Sequence, residues 1–195
     1  MESEYRNIVK TEHKTALRQW HSDLQNNRGL RASLRRATTL SDACLADGFR
    51  GLLMTTHSLW KITDQPWRFT ALAMVAALGA HVKTIVEGQN FAAQLGNQKG
   101  GGNAVMTALR FKRLSAAKTP DDLLRQLRRA IHLLDGKVNL PSLAEDLFRW
   151  CREADDRTRH YRRPQDQTEF IRVRWAMDYY QAGNPDDDNH SADAE

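Results

Sequence analysis

Apolar residues recur at three- and four-residue intervals along almost the whole chain, and alternation with a period of two is missing. That pattern predicts a protein built from helices. A first helix fits Tyr5–Gln25, with Ile8, Ala16, Leu17, Trp20 and Leu24 on its inner face. Asn26 and Asn27 end it, and a short helix follows through Leu30, Leu34 and Ala37. Ser41-Asp42 can cap a third helix carrying Leu45, Phe49, Leu52 and Leu53. Gly48 and Gly51 weaken it. Pro66 suits the opening of a long helix over Trp67–Glu87, whose small and apolar residues on several sides predict burial all round.

Gln89–Asn103 is the clearest interruption, with Gly96, Gly100, Gly101 and Gly102 among Asn and Gln. Such a composition predicts a flexible connection. Beyond it, a helix is expected over Ala104–Ala117. Thr119-Pro120-Asp121-Asp122 then supplies a cap, a proline at the first helical position and acids facing the dipole, and the helix it starts runs to about Leu134. Another opens near Pro141 and continues through Leu143, Leu147, Phe148, Trp150 and Cys151; Arg157–Pro164 is a basic connection. The last helix, Asp166–Gln181, is expected to bury Phe170, Val173, Met177 and Tyr180. The expected architecture is all-α, with two small helical-bundle subdomains over 1–95 and 104–181. A Gly-rich linker loop over 96–103 joins them, and an acidic tail over 182–195, unable to bury apolar area, is expected to be disordered.

Composition narrows the function. The 195 residues are 41% hydrophobic and 27% charged, enough for a real core. The most apolar run, Phe69–Val86, is broken by Thr70, His81, Lys83 and Thr84 and is too polar to span a membrane. The opening residues show no apolar signal segment, so a cytoplasmic protein without a membrane partner is expected. Cys44 and Cys151 read as two buried thiols in a reducing compartment. Lys and Arg number 29 against 24 acids, a net charge of +5. Five of those acids lie in Gln181–Glu195, so the first 180 residues hold 29 basic groups against 19 acidic ones. A body that basic favours polyanionic partners, nucleic acid first and an anionic membrane surface second.

Two helices concentrate the charge. At about 100° per residue with Arg125 at zero, Arg128, Arg129 and His132 fall at about 300°, 40° and 340°. Leu124, Leu127, Ile131 and Leu134 lie opposite, between about 180° and 260°. Arg28, Arg31 and Arg35 repeat the arrangement on the short second helix, with Arg36 beside them and no carboxylate between positions 28 and 36. A guanidinium stripe without acids suits a phosphate backbone, because each Arg can fork onto phosphate oxygens while keeping its charge. Arg68, Arg110, Lys112, Arg113, Arg152, Arg157, Arg159, Arg162 and Arg163 add further basic positions.

Enzyme signatures are weak. The segment from Gly96 through Lys99 to Asn103 has neither the Gly-Lys-Ser/Thr nor the preceding strand of a phosphate-binding loop. The seven histidines are scattered, and adjacent acids such as Glu145-Asp146 point about 100° apart on a helix. No Gly-x-Ser-x-Gly is present. Neither a catalytic residue, a metal site nor a cofactor is expected. Trp20, Trp60, Trp67, Trp150, Trp175, Tyr179 and Tyr180 could stack on bases, but most fall on apolar faces and read as core; Trp67, beside Arg68, is the exception to follow. Asp155-Asp156, among arginines, reads as surface ion pairs.

Five segments carry a family resemblance in order: Arg28-Gly-Leu-Arg-Ala-Ser-Leu-Arg-Arg-Ala, Leu109-Arg-Phe-Lys-Arg-Leu, Asp122-Leu-Leu-Arg-Gln-Leu-Arg-Arg-Ala-Ile, Val138-Asn-Leu-Pro-Ser-Leu-Ala-Glu-Asp-Leu-Phe-Arg-Trp and Arg174-Trp-Ala-Met-Asp-Tyr-Tyr. Together, from about Leu17 to Tyr180, the chain resembles the small subunit of the type I-E CRISPR Cascade complex, the CasB family. The resemblance implies an all-helical, non-catalytic subunit of an RNA-guided antiviral ribonucleoprotein. It further implies head-to-tail pairing with a second copy, contact with the Cascade backbone and large subunits, and indirect association with guide RNA. Such a subunit helps hold the target and displaced DNA strands in an R-loop, binding single-stranded and duplex DNA without sequence preference. The positions matching the family's DNA-facing sites are Arg31, Arg35, Arg36, Arg68, Arg110, Arg113, Arg128, Arg129 and Arg152; Arg28 and Arg125 join them from the two stripes. The Gly-rich loop and acidic tail fall outside the family pattern, and Glu153 stands where more positive charge is expected. The competing readings are a free-standing helical regulator, a purely structural scaffold and, least well supported, a nuclease. A recognition helix would mix Arg with Asn, Gln or Ser for base edges, and only Gln126 lies near the Arg128 stripe, on another face.

Overall fold

The computed structural model describes residues 8–99, 102–161 and 166–183. Within them the chain is all-α, as the spacing predicts: α1 Thr11–Asn26, α2 Arg28–Arg36, α3 Leu40–Leu45, α4 Asp47–Thr56, α5 Pro66–Gly79, α6 Phe91–Gly96, α7 Ala108–Ser115, α8 Pro120–Leu133, α9 Leu140–Thr158 and α10 Ile171–Gly183. Single 3-10 turns occupy Ile62–Asp64 and Gln167–Glu169. Strands are two residues long. β1 (Thr84–Ile85) runs parallel to β4 (Lys137–Val138), and β2 (Gln98–Lys99) pairs antiparallel with β3 (Asn103–Ala104).

α5 is the central post. Every residue from Ala71 to Ala80 is buried, and the helix packs along α9 and against α3, α4 and α8. Burial of each large side chain such as Leu72, Met74 or Leu78 contributes about 2 kcal/mol relative to leaving it in water. Trp60 stacks on Phe148 at 4.4 Å between ring centroids, and Trp67 meets the same ring edge-on at 6.1 Å. Trp20, Trp60, Trp67, Trp150 and Trp175 are all buried, so these rings are core rather than base platforms.

Several expected boundaries are corrected. α1 begins at Thr11, and Ile8 and Val9 precede it with both amides held by the Glu145 carboxylate, at 3.2 and 2.6 Å. Tyr5 and the rest of residues 1–7 lie outside the described residues. α5 stops at Gly79 instead of reaching Glu87, because the β-branched run Val82, Thr84, Ile85 and Val86 turns into the short ladder with Lys137–Val138. The expected third helix is two. Thr39 caps α3 in a reciprocal box with Asp42, and the extended backbone at Ala46 separates α3 from α4. The break turns Leu45 out to 86% exposure. It also lets Gly48 approach α2, where a Cβ would lie 2.6 Å from Leu34 Cδ1.

Ala104–Ala117 holds β3 and the shorter α7. α10 starts at Ile171 and turns Ile171, Trp175 and Tyr179 inward; Met177 and Tyr180 are exposed and Phe170 and Val173 half-buried. The helical period holds and the phase differs, with Phe170 lying before the helix and Ile171, Trp175 and Tyr179 forming its inner stripe. Within Gln89–Asn103 the chain forms α6 and the β2–β3 hairpin. Gly96 there touches α10, since a Cβ on it would run into the Tyr179 carbonyl oxygen. Gly100 and Gly101, and the tail from residue 184 onward, lie outside the described residues.

Candidate nucleic-acid interface

α8 is positioned by its own start signal. Thr119 accepts a hydrogen bond from the Asp122 amide, Pro120 takes the first turn, and Leu123, Leu124, Leu127, Ala130 and Ile131 bury the inner face. The opposite face, with Arg129 and His132 exposed, borders α7, whose Phe111 and Leu114 point inward. Between the two helices runs a groove of about 600 Å³ lined by Met106, Arg110, Arg113, Gln126, Arg128, Arg129, His132 and Leu133. Arg110, Arg113 and Arg129 are exposed there and meet no carboxylate among the described residues.

Arg128 differs from its neighbours. Its guanidinium donates to the carbonyl oxygens of Ala37 at 2.7 Å and Thr38 at 3.0 Å, at the C-terminal end of α2. It therefore ties α8 to α2 while lining the groove. Arg35 and Arg36, in the last turn of α2, are exposed and lie within three residues of those carbonyls. Arg31 reaches back from α2, its Nε donating to the Ala80 carbonyl at 3.1 Å. His81, the next residue, feels Arg128, Arg35 and Arg31 together; burial first and then those charges push its imidazole down to about 4. Arginines of α7 and α8 thus line one groove, and Arg128 reaches from it to the C-terminal end of α2.

The remaining sequence candidates divide differently. Arg125 is ion-paired with Asp122 at 2.5 Å, which corrects the expectation of an acid-free stripe. Asp122, three residues earlier, lies about 60° round the helix from Arg125 and reaches it easily. Arg28 is exposed at the start of α2. Arg68 of α5 and Arg152 of α9 line a second cleft of about 350 Å³ with Lys10, His13 and Lys61, and it shares no lining residue with the α7–α8 groove. Arg68 donates to the Trp60 carbonyl at 3.1 Å and lies 5.0 Å over the Trp67 ring. That contact explains why Trp67 sits beside an arginine while remaining core. Arg162 and Arg163 lie outside the described residues.

Sequence reasoning missed His81, Lys10 and Lys61. His81 carries no signal in a pattern read as continuous helix to Glu87; only the end of α5 at Gly79 aims it at the arginines. Glu153 also gains a reason. Its carboxylate is buried and accepts the Ile171 amide at 2.8 Å, so it holds the start of α10. Asp155 pairs with Arg159 at 2.9 Å, as expected of surface ion pairs. Cys151 is buried, its sulfur 3.8 Å from that of Met74, and burial pushes its thiol far above the usual range; Cys44 is half-buried. An inert thiol fits that setting. Among the described residues no group of three or more His, Cys, Asp or Glu could hold a metal ion, and no helix is long and apolar enough to cross a membrane.

What the arrangement can do chemically is bind a chain of anionic oxygens along an arginine-lined groove. No curated protein and no solved structure matches the chain. The family model of CRISPR-associated protein Cse2 does, over residues 30–180, a span that includes α7, α8, all but the first two residues of α2 and all the groove residues named above. With all-helical architecture and matched sequence together, the chain belongs to the Cse2 family, the small subunit of the type I-E CRISPR Cascade complex.

Proposed function

We propose that this Cascade subunit acts without catalysis, holding DNA strands opened by the guide RNA and so favouring the R-loop. The observation that carries this reading is the groove lined by Arg110, Arg113 and Arg129, together with Arg35 and Arg36 in the last turn of α2. These are exposed guanidinium groups from three helices, joined where Arg128 clamps α8 to α2. Sequence is read by pairing between guide and target, and heteroduplex formation nearly balances the duplex it replaces. Backbone contacts from a protein that reads no bases are then enough to tip the exchange. Head-to-tail pairing of two copies, contact with the backbone and large subunits and a cytoplasmic setting belong to the same reading and rest on family membership; the division into subdomains over 1–95 and 104–181 rests on the Gly-rich composition between them.

The test is strand binding by the full chain, alone and in the assembled complex. Four arginine–phosphate contacts, from Arg35, Arg110, Arg113 and Arg129, give a log–log salt slope of about −2.8 on single strands, so a fourfold rise in salt weakens binding about fiftyfold. Charge reversal by Arg113→Glu with Arg129→Glu should reduce retention of any sequence equally and leave the helical circular dichroism unchanged. Arg128 is left in place because it holds α2. Unchanged retention by that variant would assign the groove to protein partners and support the scaffold reading instead.

A further inference from the structure

His81 is an orphan among cations. Its Nε2 is buried and meets no hydrogen-bond partner. The charged groups facing it are Arg31 and Arg35 from α2 and Arg128 from α8. Arg31 and Arg128 are fixed there by bonds to main-chain carbonyls, which orient a guanidinium without cancelling its charge. Asp42 and Asp121 are near enough to act on Arg128, but both spend their hydrogen bonds on main-chain amides. Asp42 accepts the Thr38 and Thr39 amides, and Asp121 accepts the Leu40 amide at 2.6 Å. Arg35 is exposed and has no partner among the described residues. Arg128 Nε, like His81 Nε2, is buried and unsatisfied. Three guanidiniums act on a neutral imidazole, and among the described residues no carboxylate is hydrogen-bonded or ion-paired to any of the four.

Resting on the strand-binding reading, we propose that the α2–α8 junction is a seat for one backbone phosphodiester, taken by Arg35 beside Arg128, and that filling it draws a proton from solvent onto His81. The bound monoanion offsets the positive field that keeps the imidazole uncharged, and the protonated ring then adds to the attraction holding the phosphate. Uptake and binding are linked, so each favours the other.

The magnitude follows from the imidazole. In the free protein it is held at about 4. If the phosphate restores it to an ordinary value near 6.5, affinity rises about tenfold between pH 7.5 and pH 5.5. The experiment is filter binding of a radiolabelled oligothymidine to the full chain at those two pH values, at fixed salt. Wild type, His81→Gln and His132→Gln are compared; His132, exposed in the neighbouring groove, is the other imidazole near the track. The expected result is a gain approaching tenfold in wild type and His132→Gln, and a flat profile in His81→Gln. Equal binding at both pH values, or a gain that survives in His81→Gln, overturns the linkage while leaving strand binding intact. No binding at either pH overturns the strand-binding reading and the seat with it. Should His81→Gln fail to fold, the Cε1–H resonance of His81 is titrated in wild type with and without the oligonucleotide. An upward move of its midpoint on binding is the expected outcome, and an unmoved midpoint overturns the linkage.

Discussion

Arg128 Nη2 lies 2.7 Å from the carbonyl oxygen of Ala37, so the residue that looks central to a basic stripe is also the bolt between two helices. Arg129, one position on, is exposed and engages nothing among the described residues. The two adjacent arginines should separate cleanly in experiment. Arg128→Ala leaves two carbonyl acceptors without their donor and should lower unfolding stability by about 1–3 kcal/mol. Arg129→Ala should stay within about 0.5 kcal/mol of wild type, yet flatten the salt slope of strand binding by about 0.7. Urea denaturation and a salt titration of DNA binding measure the two effects.

Asp146 on α9 is buried, and burial pushes its carboxyl up to about 7. Trp175 Nε1 approaches without completing a hydrogen bond, which leaves desolvation dominant. The raised value means the folded state binds a proton that the unfolded chain has already released above about pH 4. Stability therefore falls as pH rises from about 4 to about 7 and levels off above, where both states are ionised. Between pH 5 and pH 8 this group removes about 3 kcal/mol. Asp146→Asn should abolish that part of the decline and be more stable than wild type at pH 8, as read from denaturation midpoints across the range.

Gly96 and Gly51 should respond in opposite directions to alanine. A Cβ at Gly96 meets the main chain of Tyr179, which cannot rotate away, so Gly96→Ala should force α6 and α10 apart and cost about 1–3 kcal/mol. Gly51 lies exposed on α4 with nothing within 4 Å of a Cβ. Gly51→Ala should raise stability by about 0.5–1 kcal/mol through helix propensity alone. Thermal melts of the two variants against wild type decide both.

Helical class, the start of α8 and the apolar interior of α5 were legible from spacing and caps, because a helix repeats locally and its end signals lie within a few residues. The positive surplus was legible too, since charge is counted residue by residue. What each arginine does was not. Arg125, Arg128 and Arg129 stand on one turn of one helix, yet one pairs with Asp122, one clamps α2 and one faces water. Those fates depend on a carboxylate about 60° round the helix and on carbonyls ninety residues away in sequence. His81 became part of the site only because α5 yields to a two-residue ladder with Lys137–Val138. Short-range periodicity sets which residues turn inward, whereas hydrogen-bond partners and electrostatic fields act across space, and only the packed helices bring those groups within reach.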